Sequence, residues 1–194
     1  PVLLAAALIV APCYAADFPF DVPSMQEETI AAGIDHTYGG PFEFFVGGGA
    51  ASFDCNGDRM PDIFLAGGIN PAQLFINRSP TGGGLTFEKT KTGLSGPNEK
   101  KVLGAYPVRL DHDEHVDLVV LRLGENILLK GLGNCRFEKA AGFDGGRAWS
   151  TGFSAINATS PAQLNCFSCS ARSVHRWISN NVLQKSLGSA AVRC

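Results

Sequence analysis

Residues 54–62 read Asp54-Cys55-Asn56-Gly57-Asp58-Arg59-Met60-Pro61-Asp62. Oxygen-bearing side chains occupy positions one, three, five and nine of this stretch, as Asp54, Asn56, Asp58 and Asp62. Calcium takes roughly six to eight hard oxygen ligands in an adaptable geometry, and clustered carboxylates and amides supply them. Three carboxylates this close repel one another unless a cation lies among them. Apolar, β-prone residues flank the stretch, Ala50-Ala51-Ser52-Phe53 before it and Ile63-Phe64-Leu65 after it. It is therefore read as a loop joining two strands. An EF-hand is excluded, because that loop needs Gly at position six and Glu at position twelve, and those positions hold Arg59 and Leu65. The competing reading is a solvated turn, since Asp, Asn and Gly favour turns without any metal. Acids at positions one, five and nine favour the metal.

The same pattern returns 55 residues later, with Asp117 set against Asp62. The second copy runs Val108-Arg109-Leu110-Asp111-His112-Asp113-Glu114-His115-Val116-Asp117 and continues into Leu118-Val119-Val120. Small residues precede both copies, Gly47-Gly48-Gly49-Ala50 and Gly104-Ala105. Short apolar runs follow both, Gln73-Leu74-Phe75-Ile76-Asn77 and Asn126-Ile127-Leu128-Leu129-Lys130. Each unit then closes on one tripeptide, Phe87-Glu88-Lys89 and Phe137-Glu138-Lys139. One such unit of short strands cannot bury its own apolar faces, whereas stacked or radially arranged units can.

These residues resemble the FG-GAP or VCBS repeat, the calcium-loop blade of integrin-α-type propellers. Phe53-Asp54, Asn56-Gly57-Asp58 and Asp62 carry the likeness, together with the later Asn and Phe-Glu. The upstream runs Ala31-Ala32-Gly33-Ile34-Asp35-His36 and Phe44-Phe45-Val46-Gly47-Gly48-Gly49-Ala50 look more specifically like bacterial proteins related to cartilage acidic protein, which often carry an ASPIC/UnbV domain. Gly145-Gly146-Arg147-Ala148-Trp149-Ser150 resembles the opening of a third repeat. The resemblance implies an all-β chain, a partial β-propeller, with calcium held by Asp54, Asn56, Asp58, Met60 and Asp62. In the second loop it implies Asp111, Asp113, His115 and Asp117. The chain departs from the family at position six, where Gly is usual and Arg59 and Glu114 stand. It departs again at position one of the second loop, where Arg109 replaces an acid and opposes a cation.

The expected organisation is a signal segment over 1–16, a lead-in over 17–43, repeat one over 44–100 and repeat two over 101–142. The start of a third repeat follows over 143–156, then an atypical tail over 157–194, irregular or weakly helical from Ser173 to Leu187. The apolar run Val2–Ala11 before Cys13-Tyr14-Ala15 has the form of a secretory signal and is short for a membrane span. A secreted, periplasmic or cell-surface location is expected, with no transmembrane anchor. Propellers close with about four to eight blades, so two repeats and part of another are expected to leave open blade edges able to self-associate.

The 194 residues carry a net charge of −2 and no basic stripe, which argues against nucleic acid. Six cysteines are present, and five remain after the signal segment: Cys55, Cys135, Cys166, Cys169 and Cys194. An odd number leaves at least one thiol unpaired or intermolecular, and the pairing is open. Cys166-Phe167-Ser168-Cys169 is a lone CxxC and a weak metal signal. Asp111-His112-Asp113-Glu114-His115 is the one stretch that invites a hydrolytic metal site, yet the repeat already accounts for its acids. No nucleophile elbow, zincin helix or phosphate loop occurs. The function expected is a calcium-binding, non-catalytic module that presents a surface to a protein or glycan. The alternatives are a calcium-free structural fragment of a larger propeller and an accessory domain of a secreted metal-dependent hydrolase.

Overall fold

The computed structural model describes residues 23–110, 113–157, 164–170 and 174–178. The expected signal segment, Asp111, His112 and the last sixteen residues lie outside them. The described residues are mainly antiparallel β-sheet, and their helical content includes two short 3-10 turns, Phe42–Phe44 and Gly96–Glu99.

Eight strands fall into two meanders. The first comprises β1 (Ala50–Phe53), β2 (Asp62–Leu65), β3 (Gln73–Asn77) and β4 (Phe87–Thr90), hydrogen-bonded in that order. The second comprises β5 (Val102–Val108), β6 (Asp117–Glu125), β7 (Ile127–Gly131) and β8 (Phe137–Lys139). The alternation of side chains along a strand buries Ala51 and Phe53 on β1 and Phe64 on β2. On β6 the run Leu118–Leu121 is buried throughout, as a strand covered on both faces requires.

One core joins the two meanders. Phe53, Phe64, Leu74 and Ile76 from the first pack with Val102, Leu118, Val120, Ile127 and Leu129 from the second. Each large apolar side chain removed from water contributes about 1.5–3 kcal/mol. The backbones also meet directly: Gly49 N–H donates to Leu103 O (3.1 Å) and Gly68 N–H to Val102 O (3.0 Å). Gly68 has φ +65°, and a Cβ there would fall 2.1 Å from Gly39 O, so only glycine fits this junction.

The pairing register revises the alignment of the two apolar runs by one residue. Ile63 faces Phe75, and Leu118 faces Leu129. Gln73 therefore corresponds to Ile127, and Asn77 to Gly131. Asn126 lies just before β7, where its side chain is used locally: it accepts from Arg122 N and donates to Gly145 O and Ser150 Oγ. The closing tripeptides lie on the last strands, with Asn77 opposite Phe87 and Gly131 opposite Phe137.

Beyond the second meander, β9 (Arg147–Asn157) pairs with the end of β6 and then with β10 (Leu164–Ser170), which pairs with β11 (Val174–Ile178). The weakly helical reading of the tail is thus corrected over 174–178. Val174, Trp177 and Ile178 are β-prone residue types, and pairing with β10 outweighs a faint helical spacing.

Candidate functional site: the acid loop between β1 and β2

The loop from Asp54 to Pro61 is held by its own side chains. Asp54 Oδ1 accepts from Asn56 N (3.2 Å), Asn56 Oδ1 from Asp58 N (3.1 Å), and Asp58 Oδ1 from Met60 N (2.7 Å). Positions one, three and five each accept the N–H two residues on, a ladder of Asx turns. Asp54 also takes the N–H of Gly57 (2.7 Å) and of Arg59 (2.8 Å). Arg59 has φ +68°. The turn at position six is therefore made by a non-glycine residue, at a cost of about 1–2 kcal/mol. Gly57, with φ +81°, carries the other left-handed step.

Asp62 has a different setting. It is fully buried at the start of β2, where Oδ2 accepts from Cys55 N (2.8 Å) and Oδ1 from Asn77 N (2.9 Å). It thereby locks the loop to the end of β3. Asp117 repeats the arrangement at the start of β6, with Oδ2 accepting from Leu110 N (3.0 Å) and Oδ1 from Gly131 N (2.9 Å). Position nine thus serves both loops as a buried carboxylate for two backbone donors.

The two carboxylates of the first loop with shifted acidity move in opposite directions. Slight burial opposes the charge of Asp54, but the N–H groups of Arg59, Gly57, Asn56 and Asp58 outweigh it and hold this carboxyl below its ordinary value. Burial lifts Asp62 above the ordinary value. The N–H groups of Cys55 and Asn77 offset part of the rise, and the charges of Asp58 and Asp54 add to it.

The donor set of the first loop fits a hard cation. Asp54, Asn56 and Asp58 offer carboxylate and amide oxygens, and each oxygen keeps acceptor capacity beyond the bonds described. Met60 is partly exposed on the same loop. Asn56 Nδ2 donates to Asp58 Oδ2 (2.8 Å), a bond that a cation would replace. Among the described residues no ion pair engages Asp54 or Asp58.

The second loop fits a cation less well. Asp113 Oδ1 accepts from His115 N (3.0 Å), as in the first loop, but Lys130 Nζ lies 3.6 Å from Asp113 Oδ2. Arg109 and His115 are exposed. Glu114 does not take the left-handed conformation of Arg59.

The sequence left one feature of this region open. Cys55, at position two, is bonded to Cys135 across 80 residues, with the two Cα atoms 4.6 Å apart. Cys135 N–H also donates to Cys55 O (3.0 Å). The only sequence signal was the presence of two cysteines in turn-rich stretches, and no spacing rule selects this pair from the others.

Two concavities border the meanders. A cleft of about 400 Å³ runs between β1 and β5, lined by Val46, Gly48, Ala50, Leu103, Tyr106 and Thr151. A second, of about 690 Å³, lies between β4 and the 132–137 turn and includes Lys89, Lys91, Arg136 and Cys135. No helix among the described residues is long and apolar enough to cross a membrane. No family model, no curated protein and no solved structure matches the chain.

Proposed function

We propose that the chain is a calcium-binding, non-catalytic β module of the FG-GAP/VCBS kind, built as two blades and part of a third of an open propeller, and acting at the cell surface or outside the cell. The observation that supports this most is the Asx-turn ladder of the first loop, which places hard oxygens at positions one, three and five. The matched roles of Asp62 and Asp117 support two equivalent blades. Calcium binds the first loop through Asp54, Asn56 and Asp58, with Met60 and Asp62 completing the family pattern. The second loop, with Lys130 beside Asp113, stays empty.

In this reading the ion stiffens one end of the blade pair, and the module presents that end to a protein or glycan. Exposed Phe42, Phe45 and Val46 form a separate apolar patch before β1, at the opposite end of that strand from the acid loop. The exposed position of His115 and the use of Asp113 and Asp117 in backbone hydrogen bonds favour binding over hydrolysis.

A second reading has its own support: the N–H groups of the loop already satisfy Asp54 without an ion. The loop is then a bare turn in a structural blade. Calorimetric titration of the full chain with calcium separates the two readings. The calcium reading expects one site per chain, lost in Asp54→Ala and weakened in Asp58→Asn. A folded chain that takes up no calcium leaves the bare turn.

A further inference from the structure

We propose that Cys55, Asp62 and Cys135 form a second metal site, open only when the disulfide is reduced, for a thiophilic divalent cation of the zinc class. The two sulfurs and one carboxylate oxygen all lie within 4.8 Å of one another. Asp62 Oδ2 sits 2.9 Å from Cys55 Sγ and 3.5 Å from Cys135 Sγ. A disulfide sulfur carries no proton, so neither contact is a hydrogen bond in the oxidised chain. The carboxylate faces the sulfur pair because backbone donors aim it there: Cys55 N and Asn77 N hold it whatever the state of the sulfurs. A ligand oriented by such outer bonds is ready for a metal.

Two thiolates and a carboxylate, with a water in the fourth position, make a tetrahedral zinc set. Sulfur ligands also distinguish this site from the hard-oxygen loop beside it. Zinc–sulfur bonds of about 2.3 Å place tetrahedral sulfur ligands about 3.8 Å apart, so the two sulfurs must swing apart once the bond between them is broken. Asn134 and Cys135, with φ of +52° and +55°, are the central residues of the tight turn joining β7 to β8, closed by Arg136 N–H donating to Gly133 O (3.1 Å). Breaking the crosslink frees the two cysteine side chains to rotate, while the backbone bonds of the turn persist. Cys135 borders the open cleft of about 690 Å³, which gives a cation its approach.

The chemistry balances with a dithiol as reductant. Two electrons pass to the Cys55–Cys135 bond, which breaks, and the dithiol closes to its own disulfide as its two protons move to the cysteines. Metal entry then releases both thiol protons to solvent. The same three residues serve as a crosslink in oxidising surroundings and a metal site in reducing ones, with Asp62 shared between this site and the calcium pattern of the first loop.

The test uses the full chain with Cys13, Cys166, Cys169 and Cys194 replaced by serine, reduced with a dithiol and then freed of it without air. Cobalt(II) replaces zinc as the probe. The expected result is one cobalt per chain with an intense thiolate-to-cobalt charge-transfer band, displaced by zinc and absent from the oxidised chain. Cys135→Ser should lower the affinity by about 100-fold or more, since it removes a direct ligand where outer partners alone cost 10–100-fold. Asp62→Ala should lower it as well. The proposal is overturned by a reduced chain that keeps its β-sheet circular dichroism and shows no such band. A band that survives Cys135→Ser or an affinity unchanged by Asp62→Ala overturns it too. So does a reduced chain that loses its sheet signal and does not regain it on adding the metal.

Discussion

Asp62 shows how one carboxylate can be structural and still belong to a ligand pattern. Its two oxygens satisfy Cys55 N and Asn77 N in a fully buried setting. Each buried donor left without a partner costs about 1–3 kcal/mol, so Asp62→Ala should destabilise the chain by about 2–4 kcal/mol in urea unfolding. Asp117→Ala, which orphans Leu110 N and Gly131 N, should cost a similar amount. Acidity separates Asp54 from Asp62. Asp54 is held below its ordinary value, so its stabilisation is fully present above the ordinary carboxylate range and is lost as pH falls through the lowered value. Asp62 is raised, so its protonated form favours folding, and that contribution is lost as pH rises through the raised value. Urea midpoints of the wild-type chain and Asp54→Asn should therefore converge as the solution is acidified below the carboxylate range. A gap that stays constant or widens would contradict the assignment. The pattern of acids made the loop legible, because oxygen-bearing side chains at alternate positions build Asx turns from local geometry alone. The double hydrogen bonding of Asp62 was not legible, since its partner Asn77 is fixed only by strand pairing.

At the level of elements, apolar runs bounded by Gly, Pro and Asn located β1, β2, β3, β6 and β7, and the two Phe-Glu-Lys tripeptides marked the last strands of both meanders, while β5 was read only as small residues before the second loop. The register of β7 was missed by one residue because Asn126 resembles Gln73 in type while its side chain is committed to Arg122 N, Gly145 O and Ser150 Oγ. The pairing of β10 with β11 was missed because their sequences lack the repeat spacing from which the earlier strands were read. Arg122 is the joint of the second meander and was not singled out by any motif. It is buried on β6 and donates to Pro97 O, Lys100 O, Glu125 O and Asn98 Oδ1. Burial pulls its guanidinium below the ordinary arginine range, while the charge of Glu125 works the other way. Arg122→Met keeps much of the stem and removes every side-chain donor, so it should cost about 2 kcal/mol through the loss of several part-buried hydrogen bonds. Arg122→Lys should recover only part of this in thermal unfolding, because an ammonium cannot reproduce the planar fork.

For the whole molecule, two meanders share one core, and the Cys55–Cys135 disulfide joins the acid loop of the first to the 132–136 turn of the second. A crosslink closing 80 residues restricts the unfolded chain by about 4 kcal/mol in the chain-entropy account. Cys135→Ser should therefore lower the urea midpoint markedly while leaving the sheet signal of the folded chain intact. This link was invisible in the sequence because the approach of Cys55 to Cys135 depends on how the meanders pack, and no local pattern records it. The central claim is that the first acid loop holds calcium. Thermal unfolding of the full chain in calcium and in chelator, beside Asp54→Ala under both conditions, tests it most directly. At calcium about 100 times its Kd, one site on the folded chain adds about 2.7 kcal/mol. The predicted result is a clear rise in Tm for the wild-type chain and none for the variant. A wild-type Tm that is the same in calcium and in chelator would contradict the account.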